Sequence, residues 1–142
     1  MGKIGFTEII LLLIIVFGLC LIPTIFYLLT LQNTLHEVKG ENRKMQPGQV
    51  WLTLIPLFGI IWQFIIVNNL ADSLKLEFDQ RSINVGETRP GISIGLAYCI
   101  LSCCSIIPFL GILTGIAALI CWIIYWVKIN DFKMKLQQSR PK

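Results

Sequence analysis

The sequence predicts an all-α, polytopic transmembrane protein, and three observations predict it. From Gly91 to Val127 there is no Asp, Glu, Lys, Arg or His. Hydrophobic residues make up 55% of the 142 residues and charged residues 14%, where a soluble domain carries about a quarter. Two further apolar stretches, 4–31 and 50–71, are each long enough to cross a hydrocarbon core of about 30 Å. The intervals between these stretches are short, so a single membrane domain over 1–142 is expected, with no large soluble one.

The first stretch reads as a retained anchor helix. Its apolar run exceeds that of a cleaved signal, and no small-x-small cleavage site follows it. Pro23 should kink it, with Thr24 re-satisfying the freed carbonyl; Thr7 is the candidate N-cap and Glu8 an interfacial neighbour. The second stretch reads as one span. The long charge-free run cannot be one helix, because at 1.5 Å per residue it would reach about 55 Å. Pro108-Phe109-Leu110-Gly111 is therefore the expected turn, since proline removes a donor and glycine tolerates positive φ. Spans 92–106 and 109–127 follow, packed as a hairpin, for four spans in all. The third would be only about 22 Å long, which keeps two alternatives open: three spans, or three plus a re-entrant segment.

Beyond the apolar windows the helices should continue as cytoplasmic extensions over 72–82 and 128–138. Leu28, Leu31, Leu35 and Val38 recur at three- and four-residue steps before Gly40, a candidate C-cap. Val67, Leu70, Leu74 and Phe78 do the same, as do Ile129, Phe132 and Leu136. These stripes either pack on one another or dock a partner. Asp72 with Lys75, Glu77 with Arg81 and Asp131 with Lys135 stand at helical pair spacing.

Lysine and arginine set the orientation. Four spans with both termini cytoplasmic leave only Lys39, Arg43 and Lys44 outside, and three spans with an external N-terminus put Lys3, Lys75, Arg81 and Arg89 there. The tail is cytoplasmic either way. A possible duplication favours four spans: Ile55-Pro56-Leu57-Phe58-Gly59-Ile60 matches Ile107-Pro108-Phe109-Leu110-Gly111-Ile112, each followed by a Trp, Val, Lys, Leu series from Trp62 and Trp122. The Pro-to-Trp spacing differs between the copies by eight residues, as Pro56 to Trp62 is six positions and Pro108 to Trp122 fourteen.

The run Pro47-Gly48-Gln49-Val50-Trp51-Leu52, then Ile55-Pro56-Leu57-Phe58, Trp62 and Leu70-Ala71-Asp72-Ser73-Leu74-Lys75-Leu76-Glu77-Phe78, resembles a pattern in small uncharacterised bacterial polytopic membrane proteins. The closing Trp122-Ile123-Ile124-Tyr125-Trp126-Val127-Lys128-Ile129 is similar to the same group's ending, so the likeness covers residues 47 to 136. It implies a bacterial cytoplasmic (inner) membrane, multi-pass, and carries no activity, cofactor or functional residue.

The chemical inventory points away from catalysis. Proton relays and intramembrane proteases place Asp, Glu, His or Lys inside the bilayer, whereas the predicted spans hold none beyond Glu8 at the interfacial entrance of the first. Gly91-Ile92-Ser93-Ile94-Gly95 fits the string of a serine nucleophile elbow but lacks the preceding strand, and the four-span arrangement puts the only histidine, His36, on the other side. Cys20, Cys99, Cys103, Cys104 and Cys121 have no histidine or carboxylate near them in the pattern, so no metal or other cofactor is expected. Gly91, Gly95, Gly111, Gly115 and Ala118 form small-x-x-x-small ridges suited to helix packing. Gln63, Asn68 and Asn69 are candidates for interhelical polar contacts or a pore lining. The sequence thus leads to a non-enzymatic structural or accessory membrane protein, its partners being the lipid bilayer and either itself or a larger membrane protein. No nucleic acid or small-molecule substrate is indicated. A homo-oligomeric pore, holin-like or effector-like, is the alternative; a lipid-modifying or thiol-redox enzyme comes third.

Overall fold

A computed structural model describes residues 2–140. It comprises α1 (Phe6–Glu37), a 3-10 helix (Pro47–Leu54), α2 (Phe58–Gln80), α3 (Ile92–Cys104) and α4 (Gly111–Gln138), with no strand among the described residues. Two of these, α1 and α4, are long and apolar enough to cross a membrane. Pro23 lies inside α1, and the Thr24 hydroxyl donates to the Cys20 carbonyl at 2.8 Å, one position beyond the Leu19 carbonyl that the proline leaves without its usual donor. Thr7 is not the N-cap. Gly5 holds that position, and Glu8 reaches back to accept its N–H at 3.1 Å. Nor does Gly40 cap the other end, because the chain is already extended at Val38.

Helix directions follow from the long-range hydrogen bonds. Tyr27 of α1 meets Gln63 of α2 and Trp122 of α4, while ten residues further on Glu37 meets Arg81 of α2 and Gln137 of α4. The three helices therefore run parallel, with their C-termini together. Between α3 and α4 the order reverses: Gly91 lies beside Tyr125, Ile129 and Phe132, and Ser102 beside Gly115 and Ala118. These two form an antiparallel hairpin turning at 105–110. Alternating spans would set α1 and α2 antiparallel. They are parallel because the chain runs back between them: Lys44 donates to Ser73, Gln49 accepts from Trp62 and Thr53 reaches Gly59, so 44–54 descends along α2 before α2 begins.

The stretch 50–71 is consequently not one helix. Pro47 opens the 3-10 helix, and Leu57 reverses the chain at φ +64°, ψ −50°, closing a γ-turn in which the Phe58 N–H donates to Pro56 at 2.7 Å. The molecule thus contains two hairpins, each bent at an Ile-Pro-x-x-Gly-Ile segment. The likeness extends to geometry. A Cβ at Gly59 would overlap the carbonyl of Thr53, and one at Gly111 would lie 2.7 Å from the carbonyl of Ser105, in both cases the hydroxyl residue six positions earlier. The eight-residue difference in Pro-to-Trp spacing becomes a difference in reach. Gln63, next to Trp62, and Trp122 flank Tyr27 at one level, so the second tip lies about 12 Å farther out than the first.

Burial divides the molecule lengthwise. Leu28, Leu31, Leu35, Val38, Val67, Leu70, Leu74, Phe78, Ile129, Phe132 and Leu136 are all buried in one core, so the stripes of the three parallel helices pack on one another at the end where their C-termini meet. Toward the other end the apolar surface is bare. Of the most apolar window of α1 none is buried, and the outer faces of α4 and both tips are open, with Leu57 82% and Phe109 fully exposed.

Candidate functional site

Two polar regions follow from this arrangement, one at each end of the packed core. Where α1, α2 and α4 terminate together, their unsatisfied carbonyls and aligned dipoles concentrate negative potential. Arginines answer it. Arg81 donates to the Leu136 carbonyl and the Ser139 hydroxyl, each at 2.7 Å, and to the Glu37 carbonyl at 3.3 Å; Arg43 donates to Leu35 at 2.8 Å and Val38 at 2.9 Å. Glu77, with a fully buried side chain, receives Arg81 at 2.7 Å, Asn42 at 2.8 Å and the Lys39 amide at 3.1 Å. Burial pushes its carboxyl up, but the bonds from Asn42, Lys39 and Arg81 outweigh this and hold it below the usual carboxylate range. Glu77 with Arg81 and Asp131 with Lys135 pair as their spacing predicts, whereas Asp72 pairs with Arg89 at 2.8 Å rather than with Lys75. Glu87 and Lys128 tie the 82–91 loop to α4.

The second region is a cleft of about 250 Å³ between the first hairpin's tip and α3. Thr53, Gln63, Tyr98 and Ser102 supply its polar groups, Ile55, Leu57 and Ile60 much of its apolar rim, and no charged residue lines it. Gln63 is only 5% exposed. Its Nε2 donates to the Tyr27 hydroxyl at 2.7 Å, and its Oε1 has no partner; the buried Thr53 Oγ1 has none either. Asn68 and Asn69 do not join the cleft. The Asn68 amide donates to the Phe64 carbonyl at 2.8 Å and accepts from Arg89 at 3.2 Å, and the Asn69 carbonyl accepts from Ser73 at 2.7 Å.

The glycines serve different ends from one another. Gly91 caps α3 in the left-handed region at φ +77°, a conformation L side chains rarely adopt. Gly95 allows a close three-helix approach: a Cβ there would lie 2.5 Å from Val67 Cγ1 and 2.9 Å from the Tyr125 ring. Gly111 fits the second turn against Ser105, and Gly115 is nearly unconstrained, its Cβ position 3.9 Å from the nearest atom. Ala118 is buried opposite Tyr98 and Ser102. Ser93 is exposed in the first turn of α3, which follows a turn. All five cysteines are free, and among the described residues no three His, Cys, Asp or Glu side chains stand close enough to share a metal ion.

Sequence reasoning missed Thr53, because it falls within what read as a continuous span, and the wider role of Arg81, because only tertiary packing brings α1 and α4 to it. The Pro56 and Gly59 pair was the available signal for the first. No protein-family model, curated protein or solved structure matches this chain.

Proposed function

We propose that this chain is a non-enzymatic accessory protein of a bacterial inner membrane, acting through association of α1 with a second copy or a larger membrane protein. The observation that carries this is α1 itself: residues 6–20 are exposed throughout, so nearly half of a helix long enough to cross stays outside the packed core of its own chain. A crossing helix that contributed only to its own fold would share in the packing.

The proposed placement is three crossings, by α1, α3 and α4, plus the first hairpin as a re-entrant segment. Support comes from the charges. Lys39, Arg43, Lys44, Lys75, Arg81, Arg89, Lys128, Lys133, Lys135 and Arg140 lie toward the end where the parallel helices terminate, while Lys3 precedes α1 at the other. By the positive-inside tendency the basic end is cytoplasmic and α1 starts outside. Measured from Lys128, the second tip reaches about 28 Å down, close to the core thickness, and from Asn68 the first reaches about 16 Å. Four alternating spans with both termini inside would instead need α2 to cross from outside.

Impermeant maleimide labelling of single cysteines in a cysteine-free background tests this placement. Cysteines at Glu41 and at Gln138 should label from the same face, and one at Gly5 from the other; Glu41 labelling from the face opposite Gln138 restores four spans. Native mass spectrometry in mild detergent with pull-down from native membranes tests association. A dimer, or one recurrent larger protein lost on replacing the α1 surface residues Leu13 and Phe17 by alanine, supports the accessory role. A closed ring conducting ions would support the pore, although Gln63 is engaged with Tyr27 inside one copy rather than turned toward neighbours.

A further inference from the structure

We infer that the cleft at the re-entrant tip binds an uncharged, hydroxyl-bearing acyl lipid, of which diacylglycerol is the simplest representative. The inference rests on the membrane placement proposed above and assigns that placement a ligand.

The chemistry follows from the lining. Gln63 Oε1 accepts only, so it needs a donor; the Thr53 hydroxyl takes either role, and both atoms are buried without a partner on two residues that line the same cleft. Turning the Gln63 amide over would exchange the two ends without relieving the shortage, since only one can face Tyr27. Non-helical backbone at membrane depth is tolerated where protein or a polar cavity covers it, and here the turn at 55–57 forms one wall of such a cavity. No lining residue is charged, and Gln63 lies about 8 Å below Asn68, so a phosphate would have to shed its hydration without a cation to receive it. A lipid whose head is a bare hydroxyl meets no such barrier.

Size and opening agree. A cleft of about 250 Å³ is smaller than a site that encloses a whole ligand, so it accommodates a glycerol region and leaves the chains outside. Ile55, 46% exposed, and Leu57 stand at the rim, where acyl chains would continue into the bilayer.

The test uses the full chain in phosphatidylcholine nanodiscs, with photoactivatable diacylglycerol and photoactivatable phosphatidic acid of identical chains. The diacylglycerol probe should label residues 53–63 and 98–102, and excess unlabelled diacylglycerol should suppress it. Thr53→Val, which leaves the Tyr27 contact alone, and Gln63→Leu should each reduce that labelling by about fivefold, the loss of one hydrogen bond. Equal labelling of the cleft by both probes, or labelling unchanged in both variants, would overturn the inference. Labelling of α1 at 9–20 by either probe reports its insertion, and the maleimide pattern at Gly5, Glu41 and Gln138 reports the placement separately. If α1 labels, that pattern holds and the cleft does not label, the lipid site fails alone; if α1 stays unlabelled or the pattern is that of four spans, the placement fails and takes the site with it.

Discussion

Arg81 joins three helix ends through one side chain. It offsets the dipoles of α1 and α4, and it compensates a carboxylate that has no access to water. Arg81→Ala should therefore destabilise the protein by about 3 kcal/mol in denaturant titration in mild detergent, most of it from leaving Glu77 buried and unpaired. The same carboxylate gives a pH dependence. Its folded value is depressed, so its contribution is present above the unfolded value, near 4.3, and is lost as pH falls through the folded one. The thermal midpoint should drop on acidification below about pH 4, and Glu77→Gln should flatten that drop. Glycines give a paired test. Gly95→Ala pushes a methyl into Val67 and Tyr125 and should cost about 1 to 3 kcal/mol, whereas Gly115→Ala should be neutral or stabilise by up to about 1 kcal/mol through helix propensity, both read by thermal unfolding in detergent. The small-residue ridge was legible in sequence, but spacing could not separate Gly95, which packs, from Gly115, which does not.

At the scale of elements, the apolar stripes were the most legible feature. Each residue singled out by three- and four-residue recurrence, from Leu28 to Leu136, is buried, because a helix projecting beyond the apolar window has one face to hide and periodicity reports that face. Helix direction was not legible. Hydropathy weighs 50–71 as a continuous run, and nothing in its apolar content distinguishes the 3-10 descent from the α-helical return. The information sits in Pro56 and Gly59, which a span model treats as tolerated breakers. Thr53 and with it half of the cleft's unpaired polar pair were lost for the same reason. The turn also carries strain at Leu57, whose φ of +64° suits glycine. Leu57→Gly should raise stability in detergent by up to about 1 kcal/mol, as measured by thermal unfolding, since the exposed leucine side chain contributes little packing there.

Over the whole molecule, packing and apolar exposure are separated along the long axis. The core that holds the fold lies toward the charged end, and the bare shafts lie beyond it. A chain lacking residues 6–20 should accordingly keep the melting temperature of the full chain within a few degrees in detergent, while losing any complex that forms through α1. The two turns make the same close contact at tips about 12 Å apart in reach, so the hairpins share an ending and differ in arm length. Were the first hairpin to take the second one's place in the bilayer arrangement proposed above, its Asn68 and Asp72 would occupy the levels of Ile120 and Ile124, dropping an amide and a carboxylate into hydrocarbon. Exchange between the two is thus penalised even though their turns are nearly interchangeable. Arm length serves as an address, written in where the charges begin, that tells each copy of a repeated turn which position to fill.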